Sequence, residues 1–468
     1  MKAKHVAPLV LSAAIAALYL SQMQKASSLD FVSRDPGVRD GAAGAGGPLA
    51  ELSSTQLAFF QAGADEFAEE EVVAGGLGPR MNLDSCGGCH IQPALGGSSP
   101  HPLFGTPPFG NVPNPQVAFA GKDGAADYVP PFIREDGPVR EARFVKNPDG
   151  SADGGVHALF TITGRTGAAG CSLAQPDFPT QLSNGNVIFR IPTPTFGAGL
   201  IEAIPDAAIA ANQVSNTWQK QQLGISGKAN FAVSGRTITG MTNNNGNDGT
   251  IARFGWKAQN KSLLLFSGEA YNVEMGITSE LFQTEREEQV QCQFADVPNT
   301  VTNTEASVPT EVISAIEKFA FFMRFLDAPQ ASTDTPGGAW SIWRGRQTFG
   351  EIGCALCHTP SFTTGNSPIA ALRNKPVNLF SDLLVHDMGV GLADGITQGE
   401  AGPREFRTAP LWGLGQRVFF LHDGRTTNLK HAIRAHASFG SEANGVISNF
   451  INLPERDKQD LLNFLRSL

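Results

Sequence analysis

Two Cys-x-x-Cys-His pentapeptides, at residues 86–90 and 354–358, constrain this chain more than any other feature. Two thiols at this spacing can bond both vinyl groups of one haem, and the histidine that follows can reach the iron from the same short helix. A thiol redox pair would be expected in a βαβ context, and a shared zinc site would need the two motifs to lie side by side. The pattern therefore favours two covalently bound haem c groups. The attachment residues would be Cys86, Cys89, Cys354 and Cys357, and the proximal iron ligands His90 and His358.

The first 28 residues have the layout of a secretory signal peptide. A basic start is followed by an apolar run at 6–20 and by small residues at 26–28, which is the order found in such signals. The run is shorter than the roughly 20 residues that a membrane span needs, although an uncleaved N-terminal anchor stays open. We therefore expect an exported, periplasmic protein that is soluble after cleavage.

The remaining cysteines and the charge balance agree with that compartment. Cys171 and Cys292 lie outside the pentapeptides, and a leftover pair in an oxidising space is most simply a disulfide. The net charge is −9 and no run of Lys and Arg occurs, which argues against a nucleic-acid partner. An acidic surface suits a basic redox partner instead.

Apolar spacing predicts a helix before each pentapeptide. Each of these helices contains a glycine, Gly63 or Gly345, at which a second helix could cross closely. Two further helices are predicted, one over about 312–326 that is closed by Pro329, and one that starts at Pro454-Glu455 and runs to residue 468. The apolar stripes consist of Leu57, Phe60, Ala64 and Phe67; Ile342, Gly345 and Phe349; Val312, Ile316, Phe319, Met323 and Leu326; and Leu461, Phe464, Leu465 and Leu468.

The stretch from about 100 to 250 has a different character. It is rich in Pro and Gly, with short β-branched runs at 159–163 and 186–191 that are bounded by turn residues. We interpret it as a loop-rich, partly β insertion. The predicted fold is therefore mainly α, with two cytochrome c-like haem domains. The N-terminal domain, at 50–330, carries the insertion, and the C-terminal domain covers 337–468.

The sixth iron ligand decides whether a haem only carries electrons or also does chemistry. Asn428 offers an N-cap to a helix whose apolar face ends in His436, so His436 is a candidate for the second haem. Met388 is its rival, and a thioether ligand would raise the reduction potential. The other histidines considered for this role are His101, His157, His386, His422 and His431.

Five stretches carry a resemblance to a known family. They are residues 78–90, 253–258 (Arg-Phe-Gly-Trp-Lys-Ala), 274–278 (Glu-Met-Gly-Ile-Thr), 381–389 and 406–415. Through them the chain resembles the di-haem oxidoreductases, a peroxidase-like family of which some members are labelled thiol oxidoreductases, over most of residues 50–468. That family is distantly similar to bacterial di-haem cytochrome c peroxidases and to MauG-type enzymes.

The resemblance implies roles for Trp256 and Glu274. By position, Trp256 resembles the tryptophan that lies between the two haems of those enzymes, and Glu274 resembles the acid in the pocket of the N-terminal haem. An indole there would shorten electron transfer, and a carboxylate above an open iron could move a proton between peroxide oxygens. Taken without the resemblance, Trp256 would be a core residue and Glu274 a surface or capping acid.

The chain departs from the peroxidase pattern around both haems. His436 stands fourteen residues after His422, where those enzymes often place a methionine, and this implies bis-His ligation and a lower potential for the second haem. Phe266 stands where they carry a pocket glutamine. The stretch from His90 to Trp256 is far longer than theirs, so the distal ligand of the first haem cannot be carried over. The options for it are His157, His101 and an open site.

The predicted function is a periplasmic di-haem oxidoreductase of the peroxidase kind, in which the C-terminal haem handles electrons and the N-terminal haem activates peroxide. Its partners would be a small cytochrome or copper protein that exchanges electrons, and hydrogen peroxide or another small oxidant. Two alternatives stay open: a di-haem electron carrier without catalysis, and an oxidase of the MauG or rubber-oxygenase kind. A calcium ion between the domains is compatible with the analogy to the peroxidases, and no residue of the sequence requires it.

Overall fold

The computed structural model describes residues 31–39, 44–78, 83–104, 112–122, 128–152, 164–233, 237–238, 241–242, 248–286 and 289–468. The predicted signal peptide, the strand predicted at 159–163 and His157 lie outside these residues. Within them the fold is mainly helical and the strands are short, which confirms the predicted fold class.

The helices are α1 (Ser54–Ala68), α2 (Cys86–Cys89), α3 (Pro115–Phe119), α4 (Phe178–Ser183), α5 (Ala198–Glu202), α6 (Asp206–Gln213), α7 (Thr217–Leu223), α8 (Leu263–Met275), α9 (Pro309–Val312), α10 (Ala315–Phe325), α11 (Ala339–Glu351), α12 (Leu429–Ala435), α13 (Asn444–Asn452) and α14 (Glu455–Ser467). The strands are β1 (Glu141–Phe144), β2 (Val187–Arg190), β3 (Asn230–Val233), β4 (Thr237–Ile238), β5 (Met241–Thr242), β6 (Asp248–Ala252), β7 (Phe362–Thr363), β8 (Pro376–Val377), β9 (Val385–Asp387) and β10 (Glu405–Arg407). They pair in antiparallel twos: β1 with β2, β3 with β6, β4 with β5, β7 with β8, and β9 with β10.

Two helix pairs form the frame of the fold, and each pair crosses at a glycine. Helix α1 packs on α10, where a Cβ on Gly63 would lie 2.3 Å from the carbonyl oxygen of Lys318. Helix α11 packs on α14, where a Cβ on Gly345 would lie 2.0 Å from the carbonyl oxygen of Asp460. Both predicted close crossings are confirmed. In each half the pentapeptide follows the glycine-bearing helix, so the crossing fixes the position of the motif.

Helix α10 begins later than the sequence predicts. Ser314 and Glu317 form a capping box at its start, while the backbone at Ile313 is extended and separates α10 from the short α9. Leu57, predicted on the buried stripe of α1, is 47% exposed. The buried side of that helix runs through Gly63 instead, because α10 approaches it there.

The insertion is more helical than the sequence predicts. Strands β1 and β2 pair, which confirms the strand predicted at 186–191. Helices α5, α6 and α7, however, occupy much of 198–223, where loops were expected. They have five, eight and seven residues, too few to show a helical apolar period. Cys171 and Cys292 form a disulfide with Cα atoms 4.9 Å apart, which ties the insertion to the segment after α8.

The buried apolar side chains form two large clusters. The first extends from Leu49 to Leu384, and the second covers residues 349–468. The segment 31–39 is attached to α14, because Arg466 donates from Nε and Nη2 to the two carboxylate oxygens of Asp35, at 2.8 Å each. Among the described helices, none is both long and apolar enough to cross a membrane.

Candidate functional site

The first pentapeptide opens onto a cavity of about 1170 Å³. Cys86 and Cys89 line one side of it, β1 and β2 contribute a second side, and α8 a third. Ser85 caps the short helix α2 by accepting a hydrogen bond from the amide of Gly88. This cap fixes the turn from which both thiols reach the cavity.

The second pentapeptide opens onto a separate cavity of about 1380 Å³. Its wall contains Cys354 and Cys357, residues of α11 to α14, and the segment around β9 and β10. Each cavity is lined mostly by apolar side chains and by its own pair of thiols, as expected of a site for a large apolar cofactor.

The two proximal histidine candidates are held in the same way. The Nδ1–H of His90 donates to the carbonyl of Gly97 at 3.1 Å, and that of His358 donates to the carbonyl of Phe380 at 3.0 Å. A backbone carbonyl can only accept, so Nδ1 carries the proton in each ring and Nε2 is the nitrogen that could ligate an iron. The His90 ring also lies near the carbonyl of Thr193. Burial lowers the pKa of His90, and it lowers the pKa of His358 to about 4. Both rings are therefore neutral at neutral pH, as a metal ligand must be.

The four pentapeptide thiols are free. Burial raises the pKa of Cys86 and of Cys354 to about 12 in each case, which is the opposite of the lowered pKa of a reactive redox thiol. The two motifs line different cavities, so they do not pool their ligands into one zinc site. The shared zinc site is thereby excluded, although Cys357 itself lies with Asp382 and His386 in a group whose ligand atoms are within 4.8 Å of one another.

Two arginines stand on the wall of each cavity: Arg143 and Arg190, both buried, on the first, and the buried Arg407 with the half-buried Arg417 on the second. Burial lowers the pKa of Arg143 to about 9, and that of Arg407 and of Arg417 to about 10. Nη1 of Arg143, Nε of Arg190, and Nε and Nη2 of Arg417 are buried without a hydrogen-bond partner. Buried cationic donors require acceptors, and the propionate groups of a haem would supply them. The residues present therefore fit a haem in both cavities.

Arg190 also belongs to a buried charge network that joins the two halves of the chain. Asp394 pairs with Arg190 at 2.5 Å and with Lys257 at 3.0 Å. Burial raises the pKa of Asp394, but these two cations outweigh it and hold the pKa below its ordinary value. Lys257 lies over the ring of Phe406, which lines the second cavity, at 4.1 Å. Lys257 directly follows Trp256 in the chain, so the network fixes the backbone on that side of the tryptophan.

Trp256 lines both cavities. Its Nε1–H donates to the carbonyl of Ile191 at 2.9 Å, and its own carbonyl accepts from the amide of Arg407 at 2.8 Å. The indole also meets the ring of His422 edge-on, with centroids 6.3 Å apart. The residue predicted by resemblance to bridge two haems thus stands between the two candidate haem cavities.

Glu274 lies on the wall of the first cavity, on the side of α8 that also presents Ser267 and Tyr271. These positions are spaced by three, four or seven residues and so share one helix face. A second carboxylate on the same wall, Glu269, accepts a hydrogen bond from the side-chain Nδ2 of Asn260. The sequence prediction of Glu274 as a pocket acid stays a prediction, and the cavity position agrees with it.

Sequence reasoning missed a glutamine in the first cavity. Phe266 lines the cavity, as its position relative to the family implied, but Gln259 lines it as well. Gln259 is buried, and its Oε1 has no hydrogen-bond partner. Its place three residues after Trp256 was the available signal.

Neither histidine proposed as the sixth ligand of the first haem is found on the wall of the first cavity among the described residues. The structure does not bring His101 to the cavity, because its Nδ1 accepts from the amide of Leu103 and its ring packs on Phe104 and Phe419. His157 lies outside the described residues. Among the wall residues that the structure describes, His90 is the only histidine.

Both candidates for the sixth ligand of the second haem line the second cavity. His436 donates from Nδ1 to the carbonyl of Ala432 at 2.8 Å, which leaves Nε2 available in the manner of the proximal histidines. Met388 stands on the same wall beside β9. His386 is unsuited, since Nδ1 is bonded to Glu442 at 2.8 Å and Nε2 to Asp382 at 2.9 Å.

Two further histidines were considered as ligands of the second haem, His422 and His431. His422 lines it and stacks on Phe406 with ring centroids 4.4 Å apart, and burial lowers its pKa to about 4. His431 is exposed. Asn428 caps α12 as predicted, by accepting from the amide of His431, and this cap sets the helix that ends at His436.

The fold and the two cavities define a redox protein with two haem centres. The family model described as "Di-haem oxidoreductase, putative peroxidase" matches residues 143–468. The chain belongs to this family, which confirms the resemblance and implies haem as its cofactor. Among curated proteins, none matches the chain.

Two solved structures are similar to parts of the chain. A MauG-like protein associated with microbial copper homeostasis is 18% identical, with a TM-score of 0.29, over 59% of this chain and 90% of its own. Hydrazine synthase from Kuenenia stuttgartiensis is also 18% identical, with a TM-score of 0.22, over 34% of this chain. The latter match spans 56% of the hydrazine synthase chain.

Proposed function

We propose that this chain is an exported, periplasmic oxidoreductase that binds two haem c groups covalently and reduces peroxide at the first of them. The thioether bonds would form at the four pentapeptide cysteines, with His90 and His358 as proximal ligands. The observation that carries the proposal is the position of Trp256, on the wall of both cavities. A bound haem supplies the iron at which peroxide is reduced and electrons are stored.

The chain's own residues would make the two centres unequal. In the second cavity we assign His436 as the sixth ligand, with Met388 as its rival, so that this centre is closed and handles electrons. In the first cavity His90 is the only histidine among the described wall residues, which supports an open site. Peroxide would therefore bind and react at the first centre.

Glu274 is our candidate for the acid in the first cavity. Its carboxylate would take the proton from the peroxide oxygen that binds first and deliver it to the oxygen that leaves. Gln259, with its unpartnered Oε1 on the same wall, would orient the peroxide. Phe266 contributes apolar wall and would help to exclude bulk water.

Trp256 would pass electrons from the second centre to the first. Its indole is held by the bond from Nε1 to Ile191, and its backbone by the bond from the amide of Arg407, so the residue need not reorganise when charge moves. The external electron donor would be a small cytochrome or copper protein that reacts near the second cavity. A calcium ion between the domains stays part of the proposal by analogy alone.

Rapid mixing of the purified holoprotein with one equivalent of hydrogen peroxide tests this function. We expect the haem absorbance to change when peroxide is added. In the Trp256→Phe variant we expect slower electron transfer from the second centre than in the native protein. Haem that stays with the polypeptide after denaturation would support covalent attachment. Two permanently six-coordinate haems that ignore peroxide would instead show an electron carrier.

A further inference from the structure

A buried tyrosine on the wall of the first cavity is bonded to a carboxylate. Tyr271 stands on α8, is 4% exposed and lines the cavity. Its hydroxyl donates to Oε1 of Glu71. Because burial raises the pKa of Tyr271, as does the charge of Glu71, the phenol stays protonated at neutral pH. Any loss of an electron from this ring must therefore be accompanied by loss of its proton.

Glu71 is suited to receive that proton. Burial raises its pKa, although the bond from Tyr271 opposes this, and the carboxylates of Glu69, Glu66 and Asp84 raise it further. The base is thus stronger than an ordinary glutamate. Glu71 is half-buried and directly follows the exposed residues Glu69 and Glu70, so it lies close to solvent.

An aromatic series connects Tyr271 with the proximal side of the first centre. The ring of Tyr271 meets that of Phe319 edge-on with centroids 5.0 Å apart. Phe319 meets Phe67 at 6.1 Å, and Phe67 meets His90 at 5.9 Å. A ring that lines the cavity and is also in such contact with the proximal histidine is well placed to exchange electrons with the centre.

We propose that Tyr271 is a one-electron donor to the first centre, with Glu71 as its proton acceptor, and that it stores oxidising equivalents left by peroxide. This inference rests on the proposed function. Reduction of one hydrogen peroxide to two waters takes two electrons and two protons. One electron comes through Trp256 and one from Tyr271, and the two protons are taken up from solvent. The proton of Tyr271 moves to Glu71, which leaves a neutral phenoxyl radical. A later electron from the external donor, together with the proton from Glu71, restores the phenol.

Few tyrosines compete for this role. The chain has three, and Tyr19 falls in the predicted signal peptide. Tyr128 is 58% exposed and does not line either cavity. In the mature protein a tyrosyl radical would thus arise from Tyr271 or Tyr128, and single variants distinguish the two.

The experiment is freeze-quench electron paramagnetic resonance of the full-length holoprotein after mixing with hydrogen peroxide. Ring-deuterated tyrosine should narrow the radical signal of the native protein. Tyr271→Phe should remove the tyrosyl signal, whereas the matched variant Tyr128→Phe should retain it. Glu71→Gln keeps a hydrogen-bond acceptor but no base, and should reduce the radical yield at least several-fold.

The outcomes separate this inference from the proposed function. A protein whose haems do not react with peroxide would overturn both. Reaction with peroxide but no deuterium-sensitive signal, or a signal that Tyr271→Phe retains, would overturn the role of Tyr271 alone. Native haem absorbance and an unchanged thermal unfolding midpoint serve as folding controls for Tyr271→Phe. If that variant misfolds, Glu71→Gln decides, and an undiminished radical yield there contradicts the proposal.

Discussion

Two carboxylates on one helix, Glu274 and Glu269, face the first cavity, and they can be told apart by substitution. We expect Glu274→Gln to lower kcat for peroxide by about 10²–10⁴-fold, the usual contribution of a positioned acid–base group. Glu269→Gln should have a smaller effect, since Glu269 is bonded to Asn260. Steady-state assays at equal haem content measure both, and an unchanged kcat in Glu274→Gln would remove this residue from the mechanism.

The sixth ligand of the second haem is also a question of single residues. Replacing His436 with Met should raise the reduction potential of that haem, because a thioether favours the reduced iron. Met388→Leu is the matched control and should leave the potential and the low-spin spectrum unchanged. A potentiometric titration reads both variants. Loss of the low-spin signal in Met388→Leu would make Met388 the ligand instead.

Among single residues, those in contiguous motifs could be predicted from the sequence, whereas those whose partners lie far away in the chain could not. The four cysteines and two histidines of the pentapeptides belong to short contiguous patterns, whereas Trp256 and Glu274 could be selected only through the resemblance. The four cavity arginines went unnoticed, because a lone arginine in an apolar strand such as β2 has no visible partner until the cavity is seen. Tyr271 was missed for the same reason, since Glu71 is 200 residues away.

At the scale of elements, the crossing of α11 and α14 is the tightest contact that the sequence predicted. Gly345→Ala would place a Cβ 2.0 Å from the carbonyl of Asp460, so the helices must separate at a cost of about 1–3 kcal/mol. Gly350 is on the same helix, and a Cβ added there would meet no atom within 4 Å. Gly350→Ala should therefore leave stability unchanged or raise it, by about 1 kcal/mol at most. Equal denaturation midpoints for the two variants would contradict the close crossing.

The attachment of segment 31–39 to α14 predicts a pH dependence. Burial raises the pKa of Asp35, but the bonds from Arg466 outweigh it and hold the pKa below its ordinary value of 3.8. The pair therefore contributes stability above about pH 4, and the contribution is lost as the pH falls through the lowered pKa. Asp35→Asn should cost about 3–5 kcal/mol at pH 7, as for other buried pairs that lose one partner.

Urea unfolding at a series of pH values measures this effect. Asp35→Asn should unfold earlier at pH 7 and should lose less stability than the native protein between pH 4 and pH 2. The exposed pair of Asp136 and Arg134 provides the control, because surface ion pairs contribute little. If Asp35→Asn and Asp136→Asn behave alike at pH 7, the buried pair does not hold the segment.

The elements themselves were predictable where the apolar period is long. Helices α1, α11 and α14 each span at least thirteen residues, and their apolar stripes identify them. Helices α5 to α7 have five, eight and seven residues, which is too short for a helical apolar period to stand out in the sequence. The start of α10 was misplaced although Ser314 and Glu317 have the residue types and spacing of a capping box, which is a signal of a helix start in the sequence itself.

At the scale of the whole molecule, the two halves are unequal around a shared tryptophan. The second cavity is lined by His436, whose Nε2 is available, in addition to the proximal His358. Among its described wall residues, the first cavity has no histidine besides the proximal His90. The wall of the first cavity instead has an acid, a glutamine and a tyrosine bonded to Glu71. Family membership establishes that the protein is a di-haem oxidoreductase. The asymmetry of the two cavities is the basis for proposing that peroxide reacts at the first centre and that the second handles electrons.

Low-temperature electron paramagnetic resonance of the oxidised holoprotein tests that asymmetry most directly. We predict two haem signals of equal intensity, one low-spin with two nitrogen ligands and one high-spin with an open position, and only the high-spin signal should disappear on addition of peroxide. Two low-spin signals that persist with peroxide, in either the oxidised or the half-reduced protein, would contradict it.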